Sequence, residues 1–409
     1  MRVACVGAGP GGLYLSILLK RWVPGCDVAV HERNAPGHAE GWGIVYWDDL
    51  LGQLRGADPP SAARIREASA PWAGQAAIRD GRPPQRRDGG GYGLARRRLL
   101  EILGERAAQV GVRLRYGTEV DDASALSDAD LIVACDGVGS RLRTAHADVF
   151  RPHVGTGRNK YIWLGVERTF EPFTFAFRGT AGGPVWFHAY AYGDTSTCIV
   201  ECAERTWAEL GFDRMTPQAS ATVLSRIFAD ELDGRPLMAG SSSWQSFRTV
   251  RNETWISGRT VLLGDAAHTA HFSIGSGTKL ALEDAIALAS ALRDEPDVDA
   301  ALRRYERERR PAVARAQASA AASAAWFENI GRYADLDDEA FFAVLLERRS
   351  RLLPHVTPRM FWLIHRASQR FRAIGLLRRA AARLIDGVRR SRAAVAELRA
   401  LRSGSRQSP

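Results

Sequence analysis

The chain has 409 residues and a formal net charge of +10, from 56 basic and 46 acidic side chains. Twelve arginines and two acidic residues fall within residues 366–409, so this segment carries the whole excess charge and the rest of the chain is neutral. The composition therefore does not indicate a nucleic-acid-binding protein, and no stretch reaches the ~18 uninterrupted apolar residues of a membrane span.

The predicted elements begin with a βαβ unit. Residues 2–6 form a short apolar strand, residues 11–21 a helix, and residues 27–31 a second strand that ends at Glu32. We do not interpret the apolar start as a signal peptide, because glycines follow it immediately and a cleavage pattern is missing.

Three glycines in the first turn carry a strong local signal. Gly7, Gly9 and Gly12 have the spacing of a dinucleotide-binding fingerprint. Its glycines form the tight turn, allow close approach to a pyrophosphate and pack helix on strand. Glu32 follows about 20 residues later, where an acidic side chain binds a ribose. An acid here favours an unphosphorylated ribose, as in FAD or NAD.

The next part of the chain combines an irregular segment with further α/β elements. The polar, Pro- and Gly-rich residues 56–91 predict a loop-dominated region. Residues 94–110 predict a helix, residues 112–116 a strand, and residues 131–135 a continuous apolar strand. That last strand ends at Asp136, and a flexible turn follows.

Arg96 lies at the start of the helix predicted over residues 94–110. A guanidinium pairs with phosphate in a planar, bidentate manner, so Arg96 is a candidate contact for a cofactor pyrophosphate. The alternative is a solvated arginine face that Arg96 shares with its two neighbours.

Residues 159–202 predict a mostly antiparallel sheet, which we interpret as one face of a substrate chamber. Aromatic and β-branched residues dominate four segments: 161–166, 173–178, 185–192 and 197–202. Cys198 and Cys202 are interpreted as buried thiols rather than metal ligands. The five scattered cysteines predict no metal site and a reducing, cytoplasmic location.

A second motif marks the return of α/β sequence. An apolar run over residues 261–263 ends in Gly264-Asp265, as a buried strand ends by presenting a carboxylate. A glycine-rich turn then opens a helix predicted over residues 278–292. The free N–H groups at such a helix start stabilise negative charge; the turn residues are Gly275, Ser276 and Gly277.

The chain beyond residue 297 is predicted to be helical to its end. Apolar residues recur at helical spacing among the arginines of residues 366–402. One interpretation is a pair of amphipathic helices that pack on the catalytic body and leave their arginines solvated. The other is that some arginines meet an anionic partner, either CoA phosphates, a carrier protein or a membrane surface.

Three segments together resemble the group A flavin monooxygenases, which have the para-hydroxybenzoate hydroxylase fold. They are GAGPGG at 7–12, CDGVGSR at 135–141 and GDAAH at 264–268. Other segments are similar to the salicylyl-CoA 5-hydroxylase and anthraniloyl-CoA monooxygenase branch, and more distantly to the violacein-pathway tryptophan hydroxylase: RNKYIWLG at 158–165, HAY at 188–190, TSTCIVEC at 195–202 and HFSIGSGTK at 271–279. This last segment replaces the Pro-rich loop of many group A hydroxylases, in agreement with the acyl-CoA branch.

The resemblance implies an α/β fold: a Rossmann-like FAD-binding domain with an inserted, mostly antiparallel β-sheet substrate domain and C-terminal helices. The predicted bounds are 1–150 and 259–296 for the two parts of the FAD-binding domain, 151–258 for the substrate domain and 297–409 for the helical region with its Arg-rich tail. It implies FAD as cofactor and NADH or NADPH as reductant. Asp265 is expected on the ribityl chain, and Asp136 is expected to serve both FAD and NAD(P)H. The full set of expected cofactor contacts is Gly7, Gly9, Gly12, Glu32, Arg33, Arg96, Val120, Asp136, Asp265, Gly275, Ser276 and Gly277.

The substrate side of the site is predicted from aromatic and histidine residues. Four aromatic residues are candidates for excluding water around the ring: Trp163, Phe187, Tyr190 and Phe272. A base that helps to deprotonate the ring substituent would assist the reaction. His271 and His188 are the catalytic candidates, ahead of His268, whose position follows the GDAAH turn itself.

The predicted function is hydroxylation of an activated aromatic ring with O₂ through a C4a-hydroperoxyflavin, on an aryl-CoA thioester of the salicylyl-CoA or anthraniloyl-CoA type. The main alternative is a free or carrier-bound aromatic amino acid such as tryptophan. A non-enzymatic flavin-binding protein is a further alternative, and the missing Trp-x-Trp-x-Ile-Pro segment argues against a flavin halogenase. We expect a monomer or homodimer without a nucleic-acid partner. The ring, the position hydroxylated and the choice between NADH and NADPH are left open.

Overall fold

A computed structural model describes residues 1–350 and 352–370 of the chain. The chain divides into two compact units, Met1–Ala324 and Ala325–Pro409. No helix in the described ranges combines the length and hydropathy needed to cross a membrane. Both interpretations of the Arg-rich tail concern residues that lie almost entirely outside these ranges, so they stay predictions.

The first sheet confirms the predicted α/β core. Its six strands, in spatial order, are β14 (Ile256–Ser257), β15 (Thr260–Leu262), β7 (Leu131–Ala134), β1 (Arg2–Val6), β2 (Asp27–Glu32) and β6 (Arg113–Tyr116). Pairing is parallel from β15 to β6, and β14 runs antiparallel to β15. Short apolar runs form the central strands because a parallel sheet is buried on both faces.

Parallel pairing brings the sequence motifs to one edge of this sheet. β1 ends just ahead of Gly7, β2 ends at Glu32, β7 ends ahead of Asp136 and β15 ends ahead of Asp265. Ligands of open α/β sheets bind outside the carboxyl ends of the strands. The four motifs, which are far apart in the sequence, therefore share a single candidate binding edge.

The three helices predicted for this part are confirmed as α1 (Pro10–Trp22), α4 (Arg96–Gln109) and α9 (Gly277–Asp294). Helix α1 packs against both α4 and α9. The other helices that begin in the first unit are α2 (Asp48–Ala57), α3 (Pro59–Glu67), α5 (Arg141–Ala145), α6 (Ala147–Phe150), α7 (Glu204–Glu209), α8 (Pro217–Ile227) and α10 (Val298–Glu328). The second unit contains α11 (Asp338–Leu346) and α12 (Pro358–Arg370), so the described chain beyond residue 297 is mainly helical, as predicted.

The second sheet has nine strands. In spatial order, eight of them are β12 (Leu237–Met238), β8 (Pro152–Val166), β11 (Ser196–Ala203), β10 (Gly183–Ala191), β9 (Phe173–Thr180), β4 (Ala70–Arg79), β5 (Gln85–Ala95) and β3 (Gly43–Tyr46), while β13 (Gln245–Asn252) also pairs with β8. The pairs are antiparallel except for β4 with β9. The antiparallel sheet predicted from residues 159–202 is confirmed as β8 to β11.

The interpretation of residues 56–91 as loop-dominated is wrong. Helix α3, strand β4 and most of β5 lie there. β5 begins with QRRDGGG, which lacks the β-branched and aromatic residues typical of strands, so its pairing with β4 defines it. Gly91 fits because a Cβ there would lie 2.4 Å from the Trp72 ring. Since β3 to β5 precede residue 151 yet join the second sheet, the domain bounds given above stay a prediction.

Side chains of the second sheet alternate between two faces. One face packs against α8 in a separate hydrophobic core, whose members include Ile162, Leu164, Val185, Phe187, Cys198, Val200, Cys202, Leu224 and Phe228. Cys198 and Cys202 are free and buried, which confirms the predicted thiols. The opposite face carries the residues that alternate with these, among them Tyr161, Trp163, His188 and Tyr190.

The prediction of Phe187 as a substrate contact is contradicted by this alternation. Phe187 is fully buried in the α8 core. Its ring centroid lies 4.8 Å from that of Phe228 and 5.6 Å from that of Phe170. Since β10 is buried along both faces, its composition does not show which of its aromatic residues point to which side.

We expect Phe187→Ala to lower the free energy of unfolding by about 3–5 kcal/mol, because it removes a ring from a close-packed core. Substrate KM should stay near the wild-type value, because the side chain points away from His188. Urea unfolding and a substrate titration on the same preparation test both statements. A raised KM with unchanged stability would show instead that Phe187 contacts the substrate.

Candidate active site

The glycine turn after β1 is formed by close backbone contacts. Gly7 has a φ of +108°, and a Cβ there would lie 2.3 Å from the carbonyl oxygen of Cys135. A Cβ on Gly12 would lie 2.2 Å from the carbonyl oxygen of Gly7. A Cβ atom cannot be accommodated at either distance. Only glycine at these two positions therefore lets β1, α1 and the end of β7 pack this closely.

Gly9 differs from these two glycines, because open space lies beside its Cα. It is the N-cap of α1, and a Cβ at this position would meet no atom within 4 Å. The first N–H groups of a helix have no partner within the helix and point along its axis. The open space beside Gly9 therefore gives an anionic group direct access to these donors, which fits a pyrophosphate.

Glu32 is fixed at the end of β2 by hydrogen bonds to both carboxylate oxygens. Oε2 accepts from the N–H of Ala8 at 2.8 Å, and Oε1 accepts from the backbone and side-chain N–H groups of Asn34 at 2.9 and 2.8 Å. Arg33 is exposed beside it. The side chain of Val120 is buried in the core of the first sheet, so a cofactor contact from that position would come from its backbone.

Two buried polar atoms at this edge make no hydrogen bond within the described residues. Asp136 Oδ2 accepts from the N–H of Arg141, the first residue of α5, at 2.8 Å, and Oδ1 is buried without a partner among the described residues. Ser276, the N-cap of α9, has its Oγ in the same state. Buried polar atoms are normally satisfied, so these two indicate a ligand with complementary polar groups.

Asp265 follows the end of β15, and its side chain is exposed to solvent although protein atoms surround the position. Burial raises the pKa of its carboxyl, and the positive potential of His268 and Arg96 opposes this rise. Arg96 is thus close enough to act on Asp265, although 169 positions separate them in the sequence. The structure brings these two predicted cofactor contacts into one electrostatic environment.

The turn at Gly264–Ala266 depends on a buried carboxylate that the sequence analysis missed. Asp284, in α9, accepts from His268 Nε2 at 2.7 Å, from the N–H of Gly264 at 3.2 Å and from Arg309 Nε at 2.7 Å. Burial alone would raise the pKa of Asp284, but His268 and Arg309 hold it below its usual value. His268 is therefore engaged in supporting the turn, consistent with its lower rank as a catalytic candidate.

Arg143 is a second support that the sequence analysis missed. It is buried, and it donates to the carbonyl oxygens of Ala266 at 3.0 Å and Val138 at 2.7 Å, which ties the Asp136 turn to the Asp265 turn. The sequence around Arg143 gives no signal of this role, because its neighbours are Leu142 and Thr144. For Asp284 the available signal was a charged residue at helical spacing from Leu280 and Leu288, on the buried side of α9.

Aromatic rings form a continuous ladder over the face of the second sheet that lies opposite the α8 core, called here the free face. Phe272 stacks on His271 at 4.2 Å between ring centroids and lies 4.7 Å from Tyr161 and 5.8 Å from His188. His188 in turn lies 5.0 Å from Phe175. The ladder begins in the loop between Asp265 and α9, so it joins this face of the second sheet to the edge of the first sheet where the four motifs lie.

The other two predicted aromatic contacts lie on the same face. Tyr190 stacks on Phe173 at 5.5 Å and donates its hydroxyl to the carbonyl oxygen of Gly43 at 2.8 Å. Trp163 lies against Gly41, and its buried Nε1 has no hydrogen-bond partner within the described residues. Trp163, Tyr190 and Phe272 thus lie on one side of the second sheet, and Phe187 lies on the other.

The two candidate catalytic histidines differ in their surroundings. Burial lowers the pKa of His271 to about 3. Its Nδ1 accepts from the N–H of Ser273 at 3.3 Å, so the neutral ring carries its proton on Nε2. His188 is buried with Nε2 3.9 Å from Oε2 of Glu201. Residues 1–350 and 352–370 contain no cluster of three or more His, Cys, Asp or Glu side chains that could hold a metal.

Comparison with known proteins agrees with this geometry. A family model described as an FAD binding domain matches residues 91–320. A salicyloyl-CoA 5-hydroxylase from a Streptomyces species is 42% identical over 346 residues, which cover 81% of this chain and 66% of that protein. The chain belongs to the FAD-dependent monooxygenase family. The predicted family, enzyme class and FAD cofactor are thereby confirmed.

Two further comparisons extend this result for the monooxygenase. The 3-hydroxy-4-methyl-anthranilyl-(aryl-carrier protein) 5-monooxygenase of Streptosporangium sibiricum is 38% identical over 334 residues, covering 81% of this chain and 90% of that protein. The solved tetrameric 2-methyl-3-hydroxypyridine-5-carboxylic acid oxygenase has a TM-score of 0.68 at 22% identity, over 85% of this chain and 96% of that one. The structural likeness confirms the predicted fold.

We expect Gly9→Val to abolish FAD binding without unfolding the monooxygenase. The new side chain would meet no protein atom near its Cβ but would fill the space in front of α1. Flavin absorbance after gel filtration measures the FAD content, and circular dichroism measures the fold. Gly12→Val is the matched control: its clash with Gly7 should lower stability as well. Full FAD content in folded Gly9→Val would refute the assignment of the pyrophosphate to this turn.

Proposed function

We propose that this monooxygenase hydroxylates an aromatic ring held as a thioester, with a CoA thioester of the salicylyl or anthraniloyl type as its substrate. NADH or NADPH is the proposed reductant and O₂ the second substrate. The observation that carries the proposal is the aromatic ladder from Phe272 to Phe175 beside the FAD edge. The names of two relatives, which specify a CoA-bound salicyloyl group and a carrier-bound anthranilyl group, support the thioester.

In this proposal each part of the edge binds one part of FAD. The start of α1 at Gly9 receives the pyrophosphate, Glu32 the ribose and Asp265 the ribityl chain, while the start of α9 faces the ring system. Bound FAD supplies the redox chemistry that activates O₂. The N–H groups at the start of α9 stabilise negative charge there, and the ladder excludes water from the reacting ring.

His271 is assigned here as a hydrogen-bond donor and not as the base. A ring with a pKa of about 3 does not retain a proton taken from a phenol, because such a base is far weaker than a phenolate. With Nδ1 accepting from Ser273, Nε2–H is the group that can donate. A donor aimed at the ring substituent would stabilise the negative charge that makes the ring reactive.

His188 is the better candidate for the base. Its Nε2 lies 3.9 Å from Oε2 of the buried Glu201. Glu201 is held in place by donors from Asn159 Nδ2 at 2.8 Å and Trp186 Nε1 at 3.2 Å. A proton that moves from the substrate hydroxyl to His188 would therefore form an imidazolium beside a fixed carboxylate, which favours the charged ring.

The substrate proposal is tested by NADH and NADPH oxidation with product analysis across matched ligands. The panel pairs salicyloyl-CoA and anthraniloyl-CoA with the same acyl groups on a carrier protein, with the free acids and with tryptophan. We expect coupled hydroxylation of the thioesters, with a kcat/KM roughly 100-fold above that of the free acids. The free acids lack the pantetheine arm of the thioester and its contacts with the protein. Coupled turnover of tryptophan or a free acid, without turnover of any thioester, would favour the rival function.

The assignment of His271 predicts different results for two substitutions. His271→Gln keeps an N–H donor near the position of Nε2 and should retain most of kcat. His271→Phe removes the donor and should lower kcat about 10- to 100-fold, as expected for a hydrogen bond to a charged group. Because the low pKa keeps the ring neutral, His271 should contribute no inflection to the wild-type profile from about pH 5 to 9. Equal losses in both variants would remove the donor role.

A further inference from the structure

Strands β4 and β5 continue the free face of the second sheet beyond β9. In the parallel pairing of β4 with β9, Ala77 lies opposite Phe175 and Arg79 opposite Phe177. In the antiparallel pairing of β4 with β5, Arg87 lies opposite Gln75. Residues in register share a face of a sheet. Arg79 and Arg87 therefore lie on the face that carries Phe175 and the aromatic ladder.

The opposite face confirms this assignment independently. Ile78, which alternates with Arg79, packs against the α8 core. Ala176, its register partner on β9, belongs to the same core. Arg86 lies opposite Ala76, so it occupies the α8 side of β5. Two adjacent arginines, Arg86 and Arg87, thus belong to different faces of the same strand.

The side chains on the free face change from aromatic on β10 and β9 to basic on β4 and β5. His188 and Phe175 form its apolar part on β10 and β9. Arg79 is half-buried on β4, and Arg87 is exposed on β5. Asp80, an acidic residue next to Arg79, accepts from the N–H of Gly179 at 2.9 Å through Oδ1. An elongated ligand with one apolar end and one anionic end matches this gradient.

The spacing of strands sets the length of such a ligand. Three strand intervals separate β10 from β5, which is about 14 Å at the usual spacing. A pantetheine arm is comparable in length to about four extended residues, or roughly 14 Å. A ring placed against His188 and Phe175 therefore leaves the phosphate end of its arm within reach of Arg87. Guanidinium groups are well suited to such phosphates.

We propose that Arg87 binds the phosphate end of the substrate's phosphorylated pantetheine arm. This inference rests on the proposed function and specifies how the thioester is recognised. CoA and a carrier protein share the 4′-phosphate of this arm, and CoA adds its nucleotide phosphates. The site thus recognises the carrier of the ring and not the ring itself.

The test measures binding to the oxidised, FAD-loaded enzyme by titration calorimetry. Three ligands with the same aryl group are compared: the CoA thioester, the 4′-phosphopantetheine thioester and the pantetheine thioester, which has no phosphate. We expect Arg87→Ala to weaken binding of the CoA thioester about five- to tenfold and to leave the pantetheine thioester unchanged. Arg87→Lys, which keeps the charge, should recover part of the loss.

Arg86→Ala is the matched control, since it removes the same charge from the same strand on the other face. It should leave binding of all three ligands unchanged. Equal losses in Arg86→Ala and Arg87→Ala, or a loss of pantetheine thioester binding in Arg87→Ala, would overturn the proposal. FAD content and melting temperature, measured in each variant, check that both remain folded.

The three ligands also separate the sources of phosphate. In Arg87→Ala, equal losses for the CoA and phosphopantetheine thioesters would support a site for the shared 4′-phosphate. A loss confined to the CoA thioester would support a site for the nucleotide phosphates. If the wild-type enzyme binds no aryl thioester, the proposed function fails. If it binds all three with equal affinity, only the phosphate site fails.

Discussion

The site depends on one buried carboxylate, that of Asp284. It joins α9 to the turn after β15 by accepting from the Gly264 backbone, His268 and Arg309 together. A buried charge is tolerated only when its partners are complete, and losing one partner of such a set costs about 3–5 kcal/mol. Arg143 adds a second connection by holding the carbonyl oxygens of Ala266 and Val138. These buried charges fix the turn that presents Asp265, so the position of an acid that we propose to contact FAD follows from interactions among other residues.

The second sheet imposes a different constraint, because the same strands build a core and a site. Alternation sends Phe187 into the α8 core and its neighbour His188 to the free face. A substitution on β10 is therefore expected to change stability if the residue faces the α8 core, and substrate binding if it faces the opposite side. Glycines then allow the loop ahead of β3 to approach the free face: a Cβ on Gly41 would lie 2.7 Å from the Trp163 ring, and one on Gly43 2.6 Å from Tyr192.

The sequence predicted features that are local in the chain. The βαβ unit with Gly7 and Gly9, and the strand and helix around Asp265, each have a complete pattern within about 30 residues, as expected for such units. Strand β5 was missed because its glycines and arginines have no strand pattern of their own and pair only through β4. The face of Phe187 was not predictable because β10 is buried on both sides. The pairing of Asp284 with Arg309 was missed because it joins two helices through tertiary packing.

The distribution of charge over the free face has a physical reason. His271 is kept neutral by burial, and the aromatic ladder around it gives a medium of low polarity. In such a medium, a hydrogen bond to the phenolate of the proposed mechanism would be stronger than in water. A guanidinium placed among these rings would carry a large desolvation cost. The anionic carrier of the proposed substrate would therefore bind away from the ring, where solvent reaches an arginine. The exposed position of Arg87, three strands from β10, satisfies this condition, and the neutral centre and the charged border are thus two consequences of the same requirement.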